Sequence, residues 1–156
     1  MFALALWDAP RRRLLLARDR LGKKPLYYGR VGEALVFASE IKALATLPGF
    51  DRSIDLEALS DYLSLLYVPR EKSIHRGVRK LLPGHLLLAD EHGVRVRRYW
   101  DVDFGAAAPD DGAAARLLEL LQEAVALRLQ SEAPVGAFLS GGLDSTAVVA
   151  LMARSS

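Results

Sequence analysis

The residues best suited to chemistry lie late in the sequence, where Ser140-Gly141-Gly142-Leu143-Asp144-Ser145-Thr146 follows the apolar run Pro134-Val135-Gly136-Ala137-Phe138-Leu139. A glycine turn between an apolar strand and a helix gathers backbone N–H groups and the positive end of the helix at one spot, which suits an anion. Gly141 and Gly142 let the backbone come close to a phosphate, Ser140 and Ser145 add hydroxyl donors, and Asp144 can hold a Mg²⁺ ion bridging the same phosphates. A plainer reading of the same stretch is a glycine-rich connection with Asp144 or Ser145 as helix N-cap. The apolar run, the paired glycines, the hydroxyls and the carboxylate together favour the phosphate reading over the plain one.

Competing chemistries fail on inspection. Around Gly22-Lys23, Ala17 stands where a Walker A loop needs its first glycine and Lys24 where it needs Ser or Thr. No G-x-G-x-x-G occurs, and a hydrolase elbow at Ser140 needs glycine at the position held by Phe138. The chain has no cysteine, so it offers no disulfide, no thiolate ligand and no cysteine nucleophile. His75, His85 and His92, spaced by ten and seven, match no common zinc pattern and read as loop or strand-end residues. Arg18-Asp19, with Gly22 and Pro25 close behind, reads as a tight turn pinned by an ion pair rather than as a catalytic pair. Tyr27, Tyr28, Phe37, Tyr62, Tyr67, Tyr99 and Trp100 read as core and interface filling, because no basic stripe interleaves them.

The elements that position the glycine turn form a second compositional regime. Leu117, Leu118, Leu121, Val125 and Leu129 recur on one helical face and read as core, while Arg116, Glu119, Gln122, Glu123 and Arg128 take the other. Residues 134–139 then read as a buried strand and 147–153 as a helix, which together make the opening unit of a parallel α/β domain. Upstream, Phe2 to Trp7 and Arg13 to Ala17 read as a hairpin with Pro10 in the connection. Leu26-Tyr27-Tyr28 and 34–38 flank 29–33 as a further strand pair, and His85 to Ala89 with Val94 to Tyr99 flank 90–93 as another hairpin. A short helix is expected near 39–47. A longer one is expected after Asp55, a good N-cap, through Leu56, Leu59, Tyr62, Leu63 and Leu66. The first half is thus α+β with antiparallel sheet. The stretch 105–112, rich in Gly, Ala, Asp and Pro, reads as a linker, so the expected domains are 1–107 and 108–156.

Composition agrees with an ordinary folded protein of 156 residues, 51% hydrophobic and 26% charged, and excludes disordered or collagen-like chains. The formal net charge of +2 is too small for a phosphate-backbone footprint, so nucleic acid is not an expected partner. No window approaches the ~20 apolar residues that cross a bilayer, and no targeting signal is evident, so a cytoplasmic location is the expectation.

With those motifs in place, Phe138-Leu139-Ser140-Gly141-Gly142-Leu143-Asp144-Ser145 resembles the pyrophosphate-binding loop (PP-loop) of the ATP pyrophosphatases, in the form found in glutamine-hydrolysing asparagine synthetases. The segments Met1 to Asp8, Arg18-Asp19-Arg20-Leu21-Gly22-Lys23-Lys24-Pro25-Leu26-Tyr27-Tyr28, Phe37-Ala38-Ser39-Glu40-Ile41-Lys42-Ala43-Leu44 and Lys80-Leu81-Leu82-Pro83-Gly84-His85 resemble the later part of that family's class II glutaminase domain. The resemblance runs in order along nearly the whole chain. It implies an incomplete antiparallel sheet of N-terminal nucleophile hydrolase type, followed by the first unit of an α/β ATP pyrophosphatase domain.

The same resemblance implies a carbon–nitrogen ligase that adenylates the side chain of aspartate with ATP and amidates it with ammonia from glutamine. Leu139 would contact the adenosine part of ATP, Ser140, Gly141, Gly142 and Ser145 would hold the pyrophosphate, and Asp144 would bind Mg²⁺. The partners so implied are ATP, aspartate and glutamine or ammonia, with a homodimer of the full enzyme compatible with them. The family's glutaminase nucleophile is an N-terminal cysteine and its glutamine-gripping segments precede the match, so no catalytic residue is assigned here and the chain is expected to be a middle slice of the enzyme, inactive alone. Relatives acting on another carboxylate, such as β-lactam synthetases or peptide-modifying amidotransferases, and a non-catalytic ATP-binding remnant remain open readings.

Overall fold

The computed structural model describes residues 1–105 and 112–155. It divides into two units, Met1–Asp103 and Phe104–Ser156. The expected boundary between 107 and 108 lies outside the described residues. Among the described residues, no helix is long and apolar enough to cross a membrane.

In chain order the first unit holds β1 Ala3–Asp8, β2 Arg13–Arg18, β3 Tyr27–Val31, β4 Ala34–Ala38, α1 Ile41–Leu44, α2 Leu56–Leu65, β5 Val78–Lys80, β6 His85–Asp90 and β7 Gly93–Arg98. These form a four-stranded sheet in the order β1-β2-β6-β7 and a three-stranded sheet in the order β4-β3-β5. Every pairing is antiparallel. Each expected hairpin forms. The Asp8 carboxylate accepts the backbone N–H of Arg11 at 3.2 Å and its guanidinium at 2.9 Å across the first turn. Gly32, at φ +57°, lets Val31 pair with Ala34 through a two-residue connection, so β3 runs on to Val31 where the sequence suggested a longer loop.

Leu16 of β2 lies directly opposite Leu87 of β6, and with Leu26 and Leu81 they form the buried cluster. Burying one such leucine contributes about 2 kcal/mol. Leu14, Tyr28, Leu35, Ala89 and Val94 pack around it, so strands of both sheets share this core. Strand β5 was not expected. It is three residues long, too short for a period to show. It lies so close to β3 that a Cβ added at Gly29 would stand 2.4 Å from the Gly77 carbonyl oxygen.

Helix α2 starts where expected, with the Asp55 carboxylate accepting the N–H groups of Glu57 at 3.0 Å and Ala58 at 3.1 Å. Its apolar face differs from the expected one. Ala58 is buried, whereas Leu56, Leu63 and Leu66 are exposed. Of the aromatics expected to fill core and interfaces, Tyr28 packs on the core, while Phe37, Tyr62, Tyr67 and Tyr99 are exposed. Periodicity located the helix, and tertiary contacts chose which of its residues to bury.

The turn at Arg18-Asp19 forms, but no ion pair pins it. Arg18 donates to the carbonyl oxygens of Lys24 at 2.8 Å, Leu81 at 2.7 Å and Gly22 at 2.8 Å. Asp19 accepts backbone N–H groups from Phe2 and Leu21, each at 3.2 Å, and from Lys23 and Lys24, each at 3.0 Å. One side chain gathers acceptors and its neighbour gathers donors. Burial of Asp19, only 6% exposed, disfavours its charge, yet the four N–H groups outweigh that and hold the carboxyl at about 2.

The second unit contains α3 Ala113–Leu129 and α4 Leu143–Ser155, which pack against each other. Val125 and Leu151 are buried. Leu117 and Leu118, expected in the core, are exposed. The run 134–139, expected as a buried strand, forms no strand and is exposed, with Phe138 fully so. A strand needs a neighbour for its N–H and C=O groups, and among the described residues none lies beside this one.

Candidate functional site

The glycine loop is built from the start of α4 backward. Its first intrahelical bond runs from the Thr146 N–H to the Gly142 carbonyl at 3.0 Å, so the N–H groups of Leu143, Asp144 and Ser145 have no intrahelical acceptor. Gly141 turns the chain into the helix at φ +80°, a conformation that side chains rarely adopt. Ser140 and Ser145 meet across the turn, their Oγ atoms 3.0 Å apart. The Ser145 hydroxyl donates to the Gly142 carbonyl at 3.0 Å, which makes Ser140 the donor to Ser145.

Asp144 stands on the first turn of α4, exposed, where the helix dipole favours a negative charge. Its carboxylate makes no hydrogen bond or ion pair among the described residues. Leu139 is exposed just before the loop. The structure thus brings Ser140, Gly142 and Ser145 together, sets Asp144 beside them, and leaves Leu139 at the edge. Thr146 also belongs to the site, which the sequence did not signal through its chemistry. Its hydroxyl also donates to the Gly142 carbonyl, at 2.8 Å, and its position four residues on was the available signal.

A Cβ added at Gly142 would lie 3.6 Å from Ser140 Oγ and 4.0 Å from Ser145 Oγ. The absent side chain therefore leaves the backbone open beside the two paired hydroxyls, at the end of a helix with unpaired N–H groups. That arrangement suits a phosphate lying against Gly142 and both hydroxyls. No group of three or more His, Cys, Asp or Glu side chains suited to a metal occurs among the described residues. A single carboxylate nevertheless fits Mg²⁺, which commonly takes one or two carboxylates and completes its shell with phosphate oxygens and water.

The first unit holds a concavity of about 470 Å³ that the sequence did not suggest, lined in part by Tyr27, Ile41, Tyr62, Tyr67 and Lys80. Burial pushes the Lys80 amine below its usual range, and Nζ donates to the Val68 carbonyl. Of the three histidines, His85 opens β6, His92 sits in the turn before β7 and His75 forms an isolated bridge with Ile54.

Comparison with known proteins yields two family matches in order along the chain. Residues 1–100 match the family described as Glutamine amidotransferase domain, and residues 116–156 match Asparagine synthase. The chain is 38% identical to "Asparagine synthetase [glutamine-hydrolyzing] 3" of Bacillus subtilis, over 98% of its own length and 25% of the relative's. It is 43% identical to a "Putative asparagine synthetase [glutamine-hydrolyzing]" of Mycobacterium bovis, over 99% of this chain and 25% of that one. It is also 34% identical to "Amidase chyE" of Penicillium rubens, over 97% of this chain and 23% of that protein. The chain therefore spans about a quarter of the length of these relatives. A glutamine phosphoribosylpyrophosphate amidotransferase from Bacillus subtilis superposes on 91% of this chain and 29% of its own at a TM-score of 0.36 and 17% identity.

Proposed function

The chain belongs to the glutamine amidotransferase domain family, and on that premise we propose that it is part of a glutamine-dependent asparagine synthetase. The reaction converts ATP, aspartate, glutamine and water into AMP, pyrophosphate, asparagine and glutamate through an aspartyl-adenylate. We divide the chain as 1–107, the later part of a type 2 glutamine amidotransferase domain, and 108–156, the start of the synthetase. The observation that carries the reading is the pairing of the Ser140 and Ser145 hydroxyls, 3.0 Å apart beside Gly142 at the start of α4, within the segment similar to asparagine synthases.

In this reading Ser140 and Ser145 donate to the pyrophosphate oxygens, and the backbone at Gly141 and Gly142 comes close enough to add N–H donors. Leu139 lies against the adenosine, and Asp144 holds Mg²⁺. When bound, that ion neutralises charge on the departing pyrophosphate. We assign no glutaminase nucleophile to these residues, which include no cysteine. A second reading keeps this machinery and changes the carboxylate that is amidated. It is favoured by the match to "Amidase chyE", whose identity of 34% differs little from the 38% of an asparagine synthetase.

The test is Asp144→Asn in the intact protein, with pyrophosphate and glutamate release measured separately. Pyrophosphate release is expected to fall by about 100-fold or more, since losing a metal ligand removes several kcal/mol of charge stabilisation. Glutamate release is expected to persist. Equal loss of both, or normal pyrophosphate release, overturns the assignment. Aspartate against other carboxylates as the substrate separates the two readings.

A further inference from the structure

We infer that Thr146 is a positioning residue for this loop: its hydroxyl holds the Gly142 carbonyl, so that the Ser145 hydroxyl can turn toward a bound phosphate. The inference rests on the pyrophosphate reading of residues 139–145 and deepens it. A carbonyl oxygen has two lone pairs, but Gly142 receives three donors: the Thr146 N–H at 3.0 Å, the Thr146 hydroxyl at 2.8 Å and the Ser145 hydroxyl at 3.0 Å. Ser145 has one proton to give. It serves either the Gly142 carbonyl or a phosphate oxygen.

Two of the three donors belong to Thr146, so the carbonyl keeps both lone pairs occupied when Ser145 turns away. Ser145 then leaves no unsatisfied acceptor behind, and the exchange of partners carries no such penalty. In this structure Ser140, 3.0 Å from Ser145 Oγ, donates to that oxygen, so the hydroxyl proton on the Gly142 carbonyl that can change partner is that of Ser145. Without the Thr146 hydroxyl, the Ser145 hydroxyl becomes a needed second donor to Gly142 and is held back from the anion.

A threonine in a helix often donates to the carbonyl four residues earlier with no functional consequence. That purely structural role changes helix stability and acts independently of Ser145. The present role acts through Ser145, and the distinction is measurable as non-additivity. Thr146 is exposed, so an isosteric valine disturbs no packed core.

The experiment titrates inorganic pyrophosphate with Mg²⁺ into the intact protein by calorimetry, alongside a thermal melt of each variant. Thr146→Val and Thr146→Ala are expected to weaken binding by about fivefold, the scale of one hydrogen bond. Thr146→Ser is expected to restore it. Ser145→Ala is expected to weaken binding as well, and Ser145→Ala/Thr146→Val to be no weaker than Ser145→Ala alone. Parental affinity in Thr146→Val overturns the inference, as does a double variant that shows the full loss of both single ones. If valine lowers the melting temperature, alanine, a better helix former, decides: parental binding there also overturns it. Failure of the parent protein itself to bind pyrophosphate refutes the loop reading and the inference together, whereas binding that ignores Thr146 refutes the inference alone.

Discussion

Replacing Asp19 with asparagine exchanges one oxygen for an NH₂ group at almost no change in volume, yet it strikes a carboxylate whose two oxygens are both engaged. Oδ1 accepts from Leu21 and Lys23, and Oδ2 from Phe2 and Lys24. In asparagine one of these oxygens becomes an NH₂ group, so in either orientation two backbone N–H groups face a donor. Each unpaired N–H costs about 1–3 kcal/mol when buried, and these donors are only part-buried, which puts the expected destabilisation of two of them at about 2 kcal/mol.

The charge itself makes a second, separable contribution. Asp19 is held at about 2 in the fold against an ordinary 3.8, a difference worth about 2 kcal/mol. Its folded value is the lower one, so the unfolded chain takes up a proton first as the pH falls. The stability is therefore present above about pH 4 and is lost as the pH drops through about 2. Urea unfolding between pH 2 and 6, followed by tryptophan fluorescence, reads both effects. Trp100 is a suitable reporter, because its backbone N–H donates to the Gly84 carbonyl at 3.2 Å while the Gly84 N–H donates to the Asp19 carbonyl at 3.0 Å. The parent should show a steeper acid limb than Asp19→Asn. A variant within about 1 kcal/mol of the parent at neutral pH, or two superimposable acid limbs, would refute the reasoning.

Three shorter expectations accompany it. Leu81→Ala, at a site with no exposed surface, should cost about 2–5 kcal/mol in denaturant unfolding. Gly29→Ala should lower the melting temperature of the first unit, because its Cβ would stand 2.4 Å from the Gly77 carbonyl and must push β3 from β5. Gly77→Ala, whose Cβ would meet nothing within 4 Å, is the matched control and should leave the melt within a few degrees of the parent.

Local features were legible in the sequence, and features set by distant partners were not. The hairpins could be read because the turn at Gly32-Glu33 and the polar turn before Gly93 carry their own conformational preferences. The start of α2 could be read because Asp55 caps it from one residue away. The meeting of Ser140 with Ser145 is local too, since five residues at a helix start suffice to bring them together. By contrast, the apolar run 134–139 says only that those residues avoid water, and pairing depends on strands elsewhere. The faces of α2 and α3 were misjudged for the same reason. Arg18 and Asp19 misled differently: adjacent opposite charges suggest an ion pair, but successive residues in extended chain point to opposite sides. Each side chain therefore found its own set of backbone groups.

The strand order β1-β2-β6-β7 places a constraint on time as well as on space. Leu14 pairs with Ala89 and Leu16 with Leu87, so β2 cannot complete its second edge until roughly 70 further residues have been made, several seconds of synthesis at ordinary ribosomal speeds. The sheet β4-β3-β5 draws its strands from 27–80 and can assemble in that interval. The hairpin of β1 and β2 therefore waits with an open edge of N–H and C=O groups around Leu14, Leu15 and Leu16, a surface on which two nascent chains can pair by mistake. Arg13 and Arg18 bracket that edge. Their like charges repel a second copy during the wait and stay at the strand ends once β6 has docked.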